Sequence, residues 1–571
     1  MKPHDAEGSS RVDHVDIYDT TLRDGAQREG ISLSCEDKIR IAERLDAIGV
    51  SFIEGGFPGS NPKDERFFEL ANEIEWKHAA IAAFGSTCRA AIAPEDDLGL
   101  TSLLRAKTTV CTIFGKSSTL HVREVLCTSL EENLRIIEES VAYLRAEGRR
   151  VIYDAEHFFD GFAEDADYAL ETLRAAKRGG AEVVTLCDTN GGSMPWQIGL
   201  ALTSVRSAID GPLGIHTHND GECAVANALV AVRAGVRHVQ GTISGYGERC
   251  GNANLCALIP NLELKLGLSA LPKGGLAGLT DLTHFVAEVA NAAPDEHMAY
   301  VGRSAFAHKG GMHVAAMRRT KDSYQHVDPA LVGNAMRVVV SELSGRGNLQ
   351  SKAEELGLDI SPGAEIEVLG YIKEREAQGA SFEAADASVA LLLRRRSPDY
   401  RPLFQLLDYK VMAGNHESIG SFCEAVLKLA IGDDVQITAA EGCGPVNALD
   451  AALRKALAPM FPAITTIHLV DYKVRILDGR GGTAATTRVL IDSRDAHQTW
   501  SSVGTSTNII EASWGALADG IEYGLTLAMA NTNAPPGARE RRGAAAAPTP
   551  LTSEALEQGV GVISQRTGEE L

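Results

Sequence analysis

The sequence predicts an α/β fold: a (β/α)8 barrel of the TIM-barrel kind, followed by helical linker subdomains and a C-terminal α+β domain. Three observations lead there. Eight buried, strand-like runs alternate with amphipathic helix-like stretches between Val15 and about Gly247. Nearly every run ends in polar or titratable residues. From about Leu406 the hydrophobic period falls to two, the period of half-buried strands.

The eight runs are 15–18, 50–53, 79–84, 108–114, 151–154, 182–187, 213–217 and 236–243. Between them lie segments such as 36–48, where Ile41, Leu45 and Ile48 share a face, Ser34 offers an N-cap and Gly49 a stop. Alternation of this kind also suits a doubly wound open sheet, which gathers its ligands at one switch point. Here the strand ends carry Asp19 with Arg23 and Asp24, then Glu54, Ser86, Lys116, Glu156, Asp188 with Thr189, His216 with His218, and Glu248 with Arg249. Polar groups at so many strand ends converge on a single mouth only if the sheet closes.

A chain of 571 residues exceeds one ordinary core. The expected division is a catalytic barrel over 1–290, linker subdomains with lid residues over 291–405, a regulatory or dimerisation domain over 406–530 and a disordered tail over 531–571. No apolar run reaches membrane-spanning length, and the start is polar, so the expectation is a cytoplasmic protein without a membrane partner. The 10 cysteines, Cys35, Cys88, Cys111, Cys187, Cys250 and Cys443 among them, form no Cys-x-x-Cys pair and are expected as buried free thiols. A formal charge of -21 argues against nucleic acid as a partner. An anionic substrate then needs local positive groups, of which Arg23 is one.

The run from Asp19 to Gln27 places Asp19, Arg23, Asp24 and Gln27 in one short loop at the end of the first strand. Alone, this is an ion pair closing a barrel mouth. Period two, however, puts His216 and His218 on one face of the seventh strand, and paired imidazoles with a carboxylate elsewhere make a divalent-metal site. The turn 244–254 lacks the spacing of a dinucleotide fingerprint or a P-loop. Its glycines either serve a tight turn alone or let Glu248, Arg249 and Asn252 crowd the mouth, with Asn252 near the metal.

Beyond a helix expected over 279–292, the stretch 307–313, with Tyr324 and 344–348, is dense in groups that move protons and is a candidate lid. A helical stretch follows over 349–387, with Pro362 opening a new element and 379–381 marking a turn. Past Leu406, strands are expected at 435–438, 466–472, 474–477 and 487–491, with helices at 447–457 and 509–523. That domain shows no concentrated set of titratable groups, which points to regulation or dimerisation rather than catalysis.

Three motifs, Asp19-Thr20-Thr21-Leu22-Arg23-Asp24-Gly25, His216-Thr217-His218-Asn219-Asp220 and Gly247-Glu248-Arg249-Cys250-Gly251-Asn252, make the chain resemble the family of 2-isopropylmalate, homocitrate and citramalate synthases. The resemblance runs from about Val15 to Tyr523. The run 54–64 looks most like the citramalate branch, which condenses pyruvate with acetyl-CoA. It implies that Asp24, His216 and His218 ligate Mg2+, Mn2+ or Zn2+, with Asn252 in or beside the set. Arg23 would stabilise the developing alkoxide, and Thr189 would hold the keto acid carboxylate, with Gln27 and Glu248 beside the substrate. Glu156 and His313 would form the acid–base pair, assisted by Tyr324, after which water hydrolyses the thioester. In the family the linker reaches the neighbouring subunit's barrel, which implies a homodimer with linker exchange.

Phe84 and Phe114 are candidate fillers of the pocket beside pyruvate's methyl group. The C-terminal domain resembles the family's allosteric module, which implies isoleucine as feedback inhibitor; the stretches 479–482 and 504–507 are candidate contacts, or simply hairpin turns. Isopropylmalate synthase, homocitrate synthase and a lyase running the reverse cleavage are the alternatives within the enzyme class. A catalytically inactive amino-acid sensor is the alternative outside it. Arg23, Asp24, Glu156, His216, His218 and His313 are all in place, which speaks against the sensor.

Overall fold

The computed structural model describes residues 13–361, 363–398, 400–416 and 420–533. Among these the chain forms two compact units. One runs to Ala307 and includes Gln325–Arg337; the other comprises His308–Tyr324 and the chain from Val338 onward. The stretch expected as a linker is thus shared between the two.

The first unit is a closed eight-stranded barrel with its strands in sequence order. Its strands are β1 (Asp16–Asp19), β2 (Phe52–Gly56), β3 (Ala80–Ser86), β4 (Val110–Lys116), β5 (Arg150–Glu156), β6 (Val183–Asp188), β7 (Leu213–Thr217) and β8 (His238–Gly241). The barrel closes where Asp16 pairs with His238 and Asp19 with Gly241. Strands β2 to β6 outrun the apolar stretches that announced them, because ladder pairing continues beneath polar side chains: Lys116 lies opposite Glu156. Strand β8 ends earlier than expected, since Ile243–Gly245 turns away with Ser244 at φ 59°.

Alternation along the strands layers the barrel interior. Tyr18, Phe52, Ala82, Val110, Ile152 and Val183 form an apolar plug. Two positions further along the same face stand Thr20, Glu54, Phe84, Thr112, Asp154 and Thr185. The next step up reaches the mouth. Outside, Cys35–Ile48 packs Ile41 and Leu45 inward, started by a capping box between Ser34 and Asp37 and stopped at Gly49, whose φ of 94° suits a residue without Cβ.

In the second unit three helices, Arg346–Glu355, Ala364–Ala377 and Asp386–Arg394, stand where a helical stretch interrupted at Pro362 and at 379–381 was expected. Gly357 and Gly363, at φ 64° and 89°, end one helix and open the next, and Gly379 makes the expected turn. Pro362 lies outside the described residues. Two three-stranded antiparallel sheets follow, each leading into a helix: Gln405–His416, Gly420–Ile431 and Asp434–Glu441 with Pro445–Leu457, then His468–Ile476, Thr487–Arg494 and Thr499–Ser506 with Ile509–Asn533. The two sheet-and-helix repeats share one apolar core.

Several expectations are corrected here. The strands expected at 466–472 and 474–477 are one strand with a register shift between Leu469 and Asp471, preceded by a 3-10 turn over Pro462–Thr466. Gly504–Ser506 is strand rather than loop; a Cβ on Gly504 would meet Ala512 O at 1.9 Å, so the closing helix packs directly on it. That helix runs past Tyr523 to Asn533, and residues 534–571 of the expected tail lie outside the described residues. Two residues ahead of the 406 boundary bond the closing helix: Arg395 bonds Asp519 and Glu522, and Tyr400 bonds Glu522. All 10 cysteines are free, but Cys127, Cys250 and Cys443 are exposed rather than buried. Among the described residues no helix is long and apolar enough to cross a membrane.

Candidate active site

The loop after β1 begins with a local turn, Asp19 accepting hydrogen bonds from the backbone N–H and hydroxyl of Thr21 at 2.9 and 2.8 Å. This turn sends Arg23 and Asp24 over the barrel axis. Arg23 Nε lies 2.6 Å from Glu54 Oε2, and its Nη1 lies 3.2 Å from Asp24 Oδ2. Its guanidinium carbon sits 3.8 Å above the ring of Phe84. Glu54, on β2, is fully buried and also accepts from Tyr18 Oη at 2.8 Å and from Thr20. The guanidinium is held on three sides.

Beside it stand Asp24, His216 and His218, all buried, with one ligand atom from each lying within 4.8 Å of the others. The two Nε2 atoms are 3.2 Å apart and lie 3.8 and 3.9 Å from Asp24 Oδ2. Burial favours the neutral imidazoles and holds His218 at about 4 despite Asp24. Burial pushes the Asp24 carboxyl up, but Arg23 and the two imidazoles outweigh it and hold it at about 2. Asn252 donates from Nδ2 to Asp24 Oδ1 at 2.9 Å, while its own Oδ1 is buried without a partner. A carboxylate and two neutral imidazoles converging in one place, with an orphaned amide oxygen on the residue that holds the carboxylate, fit a divalent cation.

The glycine-rich turn after β8 has a steric purpose. A Cβ on Gly247 would lie 2.2 Å from Asn252 Nδ2, and one on Gly251 would lie 2.0 Å from Gly245 O. Only glycines let Asn252 reach Asp24. The same turn supplies Arg249, which grips Asp220 through Nε at 2.7 Å and Nη2 at 2.9 Å and donates to Thr189 O at 2.8 Å. Thr189 Oγ1 in turn accepts from the backbone N–H of His157 at 2.8 Å.

A cavity of about 530 Å³ opens at the barrel mouth. Arg23, Asp24, Gln27, Phe84, Phe114, Glu156, Thr189, His216, His218 and Glu248, every barrel residue to which the resemblance gave a role except Asn252, border it, whereas Asp19, Glu54, Ser86, Lys116 and Asp188 do not. Phe84 and Phe114 stack with centroids 5.4 Å apart and planes at 22°. Glu156 pairs with Lys116 of the neighbouring strand. His313 and Tyr324 belong to the second unit, where their rings stack at 4.1 Å. His313 rides on the helix Gly311–Arg319, anchored by the bond from Gly311 N to Leu343 O at 3.2 Å and that from Asn348 Nδ2 to Lys309 O at 3.1 Å.

Four side chains at the site had no assigned role from the sequence: Glu54 and Lys116 as partners of Arg23 and Glu156, and Asp154 and Gln240 deeper in the barrel. A signal was available. A polar residue at an inward position of a barrel strand needs a partner within the barrel.

Three family models match the chain in succession: HMGL-like over residues 14–286, homocitrate synthase post-HMGL domain-like over 300–380, and the LeuA allosteric (dimerisation) domain over 383–525. An (R)-citramalate synthase from Geobacter sulfurreducens is 51% identical over 514 residues, covering 90% of this chain and 97% of that protein. Another, from a Synechocystis species, is 52% identical over 525 residues, covering 90% and 96%. The chain belongs to the (R)-citramalate synthase family. The resemblance read from the three motifs is borne out, and so is the branch to which the run 54–64 points. A 2-isopropylmalate synthase from Methanocaldococcus jannaschii is more distant from this citramalate synthase family member, at 30% identity over 89% of this chain and 94% of its own length. The Asp24, His216 and His218 cluster and the whole cavity lie within the HMGL-like stretch.

Proposed function

We propose that the chain is a citramalate synthase that joins the methyl carbon of acetyl-CoA to the keto carbon of pyruvate and hydrolyses the resulting thioester, releasing citramalate and CoA. The observation that carries this reading is the 51% identity with an (R)-citramalate synthase across 90% of the chain. The site geometry supports it. A divalent cation held by Asp24, His216 and His218, with Asn252 Oδ1 at hand, would draw electrons from the keto group of pyruvate.

The chain's own residues do the rest. Arg23, fixed by Glu54 and Asp24, donates to the oxygen that gains charge as the keto carbon is attacked. Thr189 takes the pyruvate carboxylate. Phe84 and Phe114 fill the space beyond the methyl group. Glu156 removes a proton from the acetyl methyl, and the freed electron pair forms the new carbon–carbon bond. His313 and Tyr324, supplied by the linker of the neighbouring subunit in a homodimer, complete the proton transfers; the LeuA-type dimerisation domain supports such a dimer. Water then attacks the thioester carbonyl, the C–S bond breaks and CoA leaves as its thiol. The same C-terminal domain, matched by an allosteric family model, is read as the site of feedback inhibition by isoleucine.

A thiol-release assay with acetyl-CoA and, in turn, pyruvate, 2-ketoisovalerate and 2-ketoglutarate tests the reading. Pyruvate is expected to give the highest kcat/KM by at least about tenfold, the scale on which a filled pocket rejects extra methylenes. Preference for either of the larger acids, or no thiol release with any, rejects it.

A further inference from the structure

Below the Asp24, His216 and His218 cluster a line of buried polar side chains crosses the barrel without entering any reaction step above. Gln240 Oε1 lies 2.8 Å from His216 Nδ1. Gln240 Nε2 lies 2.9 Å from Asp154 Oδ1 and 3.4 Å from Thr185 Oγ1. Gln240 is 1% exposed, and Asp154, which borders the mouth cavity, is 4% exposed. The residues come from β8, β5 and β6, and Asp154 sits in register with Thr185.

An amide has one accepting and one donating end, and the two fill nearly the same space. Asp154 distinguishes them. Its Oδ1 accepts, so the Gln240 NH2 must face it; the reversed amide would set two oxygens against each other. With the NH2 so committed, Gln240 Oε1 faces His216 and demands a proton on Nδ1. The lone pair of His216 is then left on Nε2, the atom turned toward Asp24 and His218. Burial and the charge of Glu54 hold the Asp154 carboxyl up at about 7; in its acid form the second oxygen carries the proton and Oδ1 still accepts.

We propose that Asp154 is a positioning residue that sets the tautomer of His216 through Gln240, and so governs how tightly the barrel holds a divalent cation. The inference rests on the reading of Asp24, His216 and His218 as a metal site. The hydrogen bonds that join Asp154 to the cluster run through the amide, so the polarity of the Asp154–Gln240 pair matters rather than its bulk. Exchanging the two groups, by Asp154→Asn together with Gln240→Glu, keeps the line intact with the hydrogen bond reversed. The amide introduced on β5 donates to the carboxylate introduced on β8, whose other oxygen faces His216 Nδ1–H.

The experiment is Mn2+ titration of the full-length, metal-stripped protein by calorimetry. Asp154→Asn is expected to raise the Kd for Mn2+ by about 10- to 100-fold, the usual effect of losing an outer partner of a metal-bound imidazole. The double variant Asp154→Asn with Gln240→Glu is expected to return to within about threefold of the native value. Gln240→Met is expected to cost as much as Asp154→Asn, and the two combined no more than either, because they break one line. Thermal unfolding of the stripped proteins separates loss of the site from loss of the fold. An Asp154→Asn protein with native Mn2+ affinity, a swapped double variant no tighter than the single one, or additive losses in the Met series would each overturn the proposal while leaving the metal site standing. Native protein that takes up no Mn2+ would remove the metal site itself, and the proposal with it.

Discussion

Arg23 Nε and Glu54 Oε2 stand 2.6 Å apart, and the carboxylate in that pair has no exposure to solvent. A guanidinium over a cavity keeps its rotamer only if something fixes it; Glu54 does so from below while Phe84 covers its face. Glu54 also satisfies the Tyr18 hydroxyl, so the pair ties Arg23 to the barrel plug. Glu54→Gln keeps the shape and weakens the charge-assisted bond. It is expected to lower kcat by about 100-fold, the scale of an ångström's misplacement, with the KM for acetyl-CoA within about twofold of native. Equal kcat values for the two proteins in the thiol-release assay would free Arg23 from this dependence.

Asn252 Oδ1 is buried and has no partner, although the other end of its amide holds Asp24. An unpaired buried carbonyl carries a cost of about 1–3 kcal/mol, which a cation at the Asp24, His216 and His218 cluster would relieve. Chelation followed by gel filtration is therefore expected to abolish thiol release, with recovery on adding back Mn2+, Mg2+ or Zn2+. Asn252→Ala is expected to need at least about tenfold more metal for half-maximal recovery, in line with the loss of a group beside a metal's ligands. Turnover that survives exhaustive chelation would defeat the metal reading.

Much of this was legible in the residues themselves. The period of two placed His216 and His218 on one face, and the barrel closes with each apolar run contributing one strand. Strand ends were harder to read because pairing continues under charged residues such as Lys116 and Glu156, where hydropathy signals a loop. Asp154 and Gln240 stayed hidden for a related reason. Each is one polar residue within an apolar run, and its partner comes from a strand far along the chain. In the C-terminal domain Gly504 passed for a turn because nothing local reveals that a helix backbone lies against it.

Phe84 and Phe114 stack on the cavity wall, and Phe57 meets Phe84 edge-on at 6.0 Å. In the binding mode proposed for pyruvate, truncating either ring is expected to open room beside the methyl group. Phe84→Ala or Phe114→Ala is expected to shift the ratio of kcat/KM for 2-ketobutyrate over pyruvate upward by about tenfold, within the roughly 1–3 kcal/mol that a methylene contributes to selectivity. Phe84 also lies under Arg23, so its variant is expected to lose kcat with both substrates, whereas Phe114→Ala is expected to lose less. Unchanged ratios in both variants would take the two rings out of the specificity pocket.

Inhibition by isoleucine follows from reading the C-terminal domain as allosteric. Millimolar isoleucine is expected to depress thiol release by the full-length chain, while a chain ending before residue 406 is expected to show no response in binding measured by calorimetry. Flat activity across that range, or heat of binding retained by the truncated chain, would contradict the assignment.

His238 packs against two rings of the apolar plug. It is buried between Tyr18 and Phe52, with ring centroids 5.3 and 5.5 Å away, and neither ring nitrogen has a partner. Burial lowers its pKa from 6.5 to about 3; Glu182 draws it back only partly, and Arg150 pushes it further down. The folded ring therefore stays neutral while the unfolded ring takes up a proton below about 6.5. Stability from this residue is complete above that value and falls with acidification until the folded ring itself titrates near 3. The loss amounts to about 1.4 kcal/mol per pH unit once the unfolded ring is charged, or about 2 kcal/mol between pH 7 and 5. His238→Leu removes the titration and leaves every other group in place. Urea unfolding of the barrel transition at both pH values is expected to show the native protein losing about 2 kcal/mol more than the variant on acidification. Equal losses would mean that the folded ring accepts the proton, which requires a partner or water at its nitrogens.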